Sequence, residues 1–114
     1  MTSPKRGEIW VVEFDPSVGT EIQKTRPALI ISNNIANDKT SKVTVVPLTS
    51  RIKQNPIVII VDPDKLNKLD KQSLIRIPDI CTFDKRRLKN KIGELSKEKL
   101  KEVDKKLKLH LELN

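Results

Sequence analysis

Two short stretches decide the fold: TRPALIIS (residues 25–32) and VTVVPLT (residues 43–49). Each is a β-branched or aliphatic run bounded by turn-forming or polar residues, which is the pattern of a short buried strand. Residues 8–14, 57–61 and 73–77 read the same way, the fourth between Pro56 and Asp62-Pro63, the last stopped by Pro78. None alternates with a long helical period. Such spacing favours an antiparallel barrel or sandwich over a parallel α/β sheet. Residues 34–40 are expected to form one helical turn, and residues 64–72 a polar, mobile loop anchored by Leu66 and Leu69.

The C-terminus changes character. Ser96 is the expected N-cap, with Glu98 in the first turn. Leu100, Val103, Leu107 and Leu111 then recur at spacings of three and four, while Lys97, Lys99, Lys101, Lys105 and Lys108 lie mostly off that stripe. The expectation is an amphipathic helix packed on a small β-domain. The 114 residues make one such domain, 1–114, and too few for two.

The bulk composition narrows the function. No apolar run approaches the length needed to cross a bilayer, and no secretory h-region follows the N-terminus. The single cysteine, Cys81, excludes an intramolecular disulfide and reads as a small buried hydrophobe. A cytoplasmic protein is expected. The net charge is +8, and the excess sits late in the chain: six Lys+Arg against five Asp+Glu in residues 1–50, seventeen against ten in residues 51–114. That bias fits a polyanionic partner. It fits equally the solvated face of a lysine-rich protein.

The usual catalytic parts are missing. His110 is the only histidine, and there is no Cys cluster, P-loop or GxGxxG, so neither a metal site nor a cofactor is implied. What remains is polar groups at strand ends. If the strands at 28–32 and 43–48 pair antiparallel, Arg26 at the start of one meets Thr49 at the end of the other. A guanidinium fork beside a hydroxyl would cradle a phosphate. From the strand pattern alone a plainer reading is ahead: Arg26 pairs with Glu21, and Thr49 merely ends a strand.

The motifs themselves carry a resemblance. KRGEIW (5–10), DPSVGTE (15–21), KTRPALIISN (24–33) and VVPLT (45–49) are similar to the MazF/PemK toxins, and so are SLIR (73–76), TFDKRRL (82–88) and KIG (91–93). The likeness covers nearly the whole chain. It implies an SH3-like β-barrel of the CcdB/PemK type with a C-terminal helix, assembled as a homodimer. It implies a ribosome-independent endoribonuclease that cuts single-stranded RNA at a short sequence. Arg26 of the RP motif and Thr49 of the PLT motif fall on the catalytic pair, with Glu21 shaping the site. Thr20, Lys24, Thr25, Ser50, Arg51, Lys53 and Gln54 are the expected RNA contacts. The loops at 15–25, 51–56 and 64–72 are the expected determinants of base choice. The implied partner is a MazE-like antitoxin whose acidic, flexible tail covers the RNA groove.

Three functions of different classes follow: an RNA-cleaving toxin, a CcdB-like gyrase poison, and a non-catalytic nucleic-acid-binding barrel. Fold does not separate them. Arg26 and Thr49 in their motifs do, because a gyrase poison has no use for them. With no tyrosine and only Trp10, Phe14 and Phe83 as aromatics, base recognition must lean on Arg and Lys, backbone groups and aliphatic contacts rather than on aromatic stacking.

Overall fold

The computed structural model describes residues 3–14, 25–50 and 58–114. Along the chain run β1 (Glu8–Glu13), β2 (Thr25–Ile30), α1 (Asn34–Lys39), β3 (Lys42–Thr49), β4 (Val58–Val61), β5 (Ser73–Arg76), β6 (Cys81–Asp84), β7 (Leu88–Glu94) and α2 (Lys97–Leu111). All strand pairs are antiparallel, and the path is β4-β5-β3-β2-β1-β7, with β6 also on β3. β6 takes the first half of β3 (Lys42↔Asp84 to Val45↔Cys81), and β5 takes its end (Leu48↔Ile75, Thr49↔Leu74). A 3-10 turn at Ile77–Asp79 separates the two partners.

The resemblance leads one to expect an SH3-like barrel. Among the described residues the path is open instead: no pairing joins its outer strands β4 and β7. The architecture is mainly β, an open antiparallel sheet with a C-terminal helix.

The apolar runs of β2 and β3 are nearly continuous because both faces of these strands are buried. Side chains alternate across a strand. Leu29, Ile31, Val46 and Leu48 therefore join Ile9, Ile59, Ile75 and Val103 in one cluster. Ala28, Ile30, Val43 and Val45 join Trp10, Val12 and Leu88 in a second cluster on the other face, with Phe14, Phe83 and Cys81 at its margin. The helix α2 closes the first cluster. Ser96 caps it by accepting from the Lys99 N–H at 3.2 Å. Val103 is fully buried and Leu100 and Leu107 pack partly, whereas Leu111 is 47% exposed, so the apolar stripe reaches the sheet for only part of its length. Full burial of a valine contributes about 1.5–3 kcal/mol. No helix among the described residues is long and apolar enough to cross a membrane.

β6 and β7 were not foreseen. β7 buries only Leu88 and Gly93 and shows exposed Lys89, Asn90 and Lys91, so its apolar signal is too thin to read. Its hold comes from pairing with β1 and from charge. Glu8 accepts from the Lys5 backbone N–H (2.8 Å) and the Trp10 indole N–H (2.9 Å), and pairs with Lys91 at 3.2 Å. Burial works against ionising Glu8, but these donors together outweigh it and hold the carboxyl below its ordinary value. A lowered folded value means stability that is present above the ordinary carboxylate range and lost as pH falls through Glu8's folded value. The Glu8→Gln protein is therefore expected to melt below wild type at neutral pH. Thermal melts across an acid series should show that gap closing as the wild-type carboxyl protonates; a gap independent of pH would contradict the assignment.

The loop between β4 and β5 carries more hydrogen bonds than its polar, open-looking composition suggests. Asp64 Oδ1 accepts from the N–H groups of Leu66 (2.9 Å) and Asn67 (2.6 Å). Asn67, 1% exposed, donates to Asp62 O at 2.9 Å and accepts from the Asp64 and Leu69 N–H groups. Leu69 is buried as expected, while Leu66 is 46% exposed. Gly93 of β7 lies so close beneath that a Cβ there would come within 2.5 Å of the Leu66 and Asn67 carbonyls. Only glycine admits this approach. Lys68 takes a left-handed backbone at φ 55°, an unusual state for a residue with a Cβ.

Candidate active site

The ladder between β2 and β3 runs Ile30↔Val45, Leu29↔Val46, Ala28↔Pro47. Stepping two residues further along both strands sets Arg26 opposite Thr49. By alternation both belong to the face that carries Ala28, Ile30, Val43 and Val45. Pairing between the two strands stops before that point. Arg26 stays with β1, opposite Val12, while Thr49 turns to β5, opposite Leu74. Pro27 assists the parting because it has no N–H to give to a neighbour. The two residues thus stand at the mouth of a split in the sheet, each anchored to a different neighbour.

Arg26 is exposed, and its side chain makes no ion pair with a described residue. Thr49 is half-buried and Ser50 exposed, while Thr25 begins β2 beside Arg26 and is also exposed. Of the expected site residues, the structure brings Thr25, Arg26, Thr49 and Ser50 to one end of the sheet. Glu21, Thr20, Lys24, Arg51, Lys53 and Gln54 lie outside the described residues, as do the loops that carry them.

Where the strands part, the face of the first apolar cluster opens into a cavity of about 380 Å³. Val11, Pro27, Leu48, Leu69 and Ile92 form its apolar lining. Its polar edge is Thr49, Ser50 and Ser73 with Lys68, Asp70 and Lys71 of the β4–β5 loop. Arg26 is not part of this lining, so the cavity adjoins the Arg26–Thr49 site through Thr49 and Pro27. Sequence reading gives the loop at 64–72 with Leu66 and Leu69 as its anchors, but not the polar residues at the cavity edge. The usable signal was Asp64 and Asn67, side chains that bond to nearby backbone and rigidify a turn; the approach of Gly93 is visible only in three dimensions.

Cys81 is half-buried, and burial together with Asp79 pushes its thiol above the ordinary value. It is poorly suited to be a nucleophile. His110 lies in α2. Among the described residues no three His, Cys, Asp or Glu side chains converge as a metal-ligand set.

The PemK-like, MazF-like toxin of type II toxin-antitoxin system is the family description that matches residues 5–111. The chain belongs to this family. Solved structures agree over the full length. MazF (Form-I) from Deinococcus radiodurans superposes with a TM-score of 0.83 at 27% identity, covering 99% of this chain and 100% of that one. MazE–MazF (Form-II) from the same organism gives 0.83 at 27%, covering 100% of both. An endoribonuclease in complex with its cognate antitoxin, from a Mycobacterial species, gives 0.80 at 26% identity and covers 98% of both chains.

Proposed function

We propose that this protein is the toxin of a type II toxin–antitoxin pair and acts as a sequence-specific endoribonuclease on single-stranded mRNA, independent of the ribosome, of metal and of any cofactor. The observation that supports the reading is the β2–β3 register, which puts Arg26 and Thr49 at the same end of the β2–β3 pair in a chain whose structural relatives include endoribonucleases. Arg26 and Thr49 are the catalytic pair. Arginine stays protonated at any working pH, so its task is to neutralise charge that builds on the phosphate. The Thr49 hydroxyl donates to a non-bridging phosphate oxygen. Glu21 assists proton removal or orients Arg26. Thr20, Lys24, Thr25, Ser50, Arg51, Lys53 and Gln54 hold the RNA.

The substrate supplies its own nucleophile. The ribose 2′-oxygen attacks the adjacent phosphorus, the bond to the 5′-oxygen of the next nucleotide breaks, and the departing oxygen takes a proton. The products are a 2′,3′-cyclic phosphate and a 5′-hydroxyl. The site of cutting is the cytoplasm, and the fold is of the SH3-like barrel type, its path open between β4 and β7 among the described residues. A gyrase poison is the less favoured reading, because the family match goes with nuclease relatives. Purified protein should cleave a defined RNA with and without EDTA. Inhibition of gyrase without RNA cleavage would reverse the conclusion.

The working unit is a homodimer with an RNA groove spanning both subunits. One 114-residue domain has little surface for gripping several nucleotides, and two-fold pairing is the commonest way to extend it. The partner is a MazE-like antitoxin, by analogy with the Deinococcus MazE–MazF complex and with the Mycobacterial endoribonuclease bound to its cognate antitoxin, and an acidic flexible tail would suit the +8 charge. Light scattering at micromolar concentration should give twice the 13.0 kDa chain mass. A fully active monomer would contradict the assembly.

A further inference from the structure

The cavity beside Thr49 has features that cleavage itself does not require. Its volume of about 380 Å³ is at the small end of the range for ligand sites. It has an apolar floor and a charged edge, a combination that suits a flat ring with polar margins. The side chains of Lys68, Asp70 and Lys71 are exposed and make no ion pair or hydrogen bond with any described residue. Yet the loop that presents them is tied by the Asp64 and Asn67 bonds and seated on Gly93. An ordinary surface loop has no need of a buried asparagine and a left-handed lysine; a loop that must hold charged groups in fixed places does.

The aromatic side chains are elsewhere. Trp10 lies in the second cluster and Phe14 and Phe83 stack edge to face at its margin, 5.7 Å apart; these three are all the chain has. A base held near the cut must therefore rest on aliphatic groups, and this cavity supplies them next to Thr49.

The geometry points to this cavity as the subsite for one unstacked guanine base of the RNA, read by Asp70 with Lys68 or Lys71. The inference rests on the endoribonuclease reading above. A carboxylate accepts two parallel hydrogen bonds, and guanine alone offers two adjacent donors, N1–H and the N2 amino group, on its pairing edge. The guanine O6 next to them accepts from an ammonium, as it does from lysine in other nucleic-acid sites. Adenine and cytosine offer Asp70 a single amino donor beside an acceptor. Uracil offers one N–H between two carbonyls that a carboxylate repels.

The test begins with wild-type protein and a randomised RNA pool, the cut sites being sequenced. Guanine should be enriched at one fixed position next to the cut. The preferred RNA is then compared with the same RNA carrying inosine at that position, which lacks only the N2 amino group. Inosine should slow wild-type cleavage about tenfold, the typical effect of losing one hydrogen bond to a charged group. In Asp70→Asn the two substrates should differ by less than about twofold, since the carboxylate that distinguishes them is gone. Binding is read separately by anisotropy with uncut 2′-deoxy versions of both oligonucleotides. Cleavage with no guanine preference at any position, or an inosine effect that persists in Asp70→Asn, overturns the subsite and leaves the nuclease reading standing. Guanine-selective binding that Asp70→Asn abolishes, with no cleavage of any RNA, keeps the subsite and removes the nuclease reading. No guanine selectivity in cleavage or in binding removes the subsite outright.

Discussion

Arg26→Ala is expected to lower RNA cleavage by about 10²–10³-fold, the usual cost of removing one donor aimed at charge that develops in the transition state. The fold should survive. Arg26 is exposed, makes no ion pair among the described residues, and contributes nothing to either apolar cluster. Its backbone is held by pairing with Val12, which alanine preserves. A melting temperature near wild type together with lost cleavage would therefore assign the residue to chemistry rather than to structure. Lysine at the same position should recover only part of the rate, because a point charge does not reproduce the planar fork that spans two phosphate oxygens. Thr49→Ala should be severe and Thr49→Ser milder, since only the hydroxyl is required. Wild-type rates in well-folded Arg26→Ala would remove Arg26 from the mechanism.

The reach of the sequence depended on how much of each segment's stability is local. β1 to β5 and α2 were legible because each carries its own apolar signal. For β2 and β3 this is nearly continuous, since one strand face feeds each cluster. Ser96 announced the helix start, and the cap is formed. β7 was not legible, because what fixes it lies largely on another strand: it is paired to β1 and tied by Lys91 to Glu8 of β1. Placing Arg26 and Thr49 at the same sheet end needed one assumption, the antiparallel pairing of two strands, and β2 and β3 do pair that way from Ala28↔Pro47 inward. The β4–β5 loop reads as mobile because it is polar, and its contacts are not legible in composition: Asn67 is buried, and Gly93, some 26 residues later in the chain, lies against the loop backbone. Sheet closure was equally beyond reach, since it depends on whether β4 and β7 meet.

A single 2′-deoxy nucleotide on the 5′ side of the cut is expected to abolish cleavage while leaving binding nearly unchanged. The chain offers few other nucleophiles. Cys81 is half-buried with its thiol pushed up, and the sequence has one histidine, located in α2. The 2′-hydroxyl, by contrast, is covalently tethered on the ribose carbon next to the one whose 3′-oxygen carries the scissile phosphate, and holding it in line with the departing 5′-oxygen converts a bimolecular attack into a unimolecular one, an advantage of about 7–11 kcal/mol at best. Arg26 and Thr49 need only stabilise the phosphorane that results. Removing one hydroxyl deletes the attacking atom, so the loss should be complete rather than graded, whereas the phosphate contacts that set affinity are untouched. Anisotropy with the deoxy oligonucleotide should give a Kd within a few-fold of the all-ribose strand. The cut all-ribose strand should carry a 2′,3′-cyclic phosphate and a 5′-hydroxyl. Cleavage of the deoxy strand at a normal rate, or a 5′-phosphate on the product, would require water or a protein group as nucleophile and would leave Arg26 and Thr49 as substrate-binding residues only.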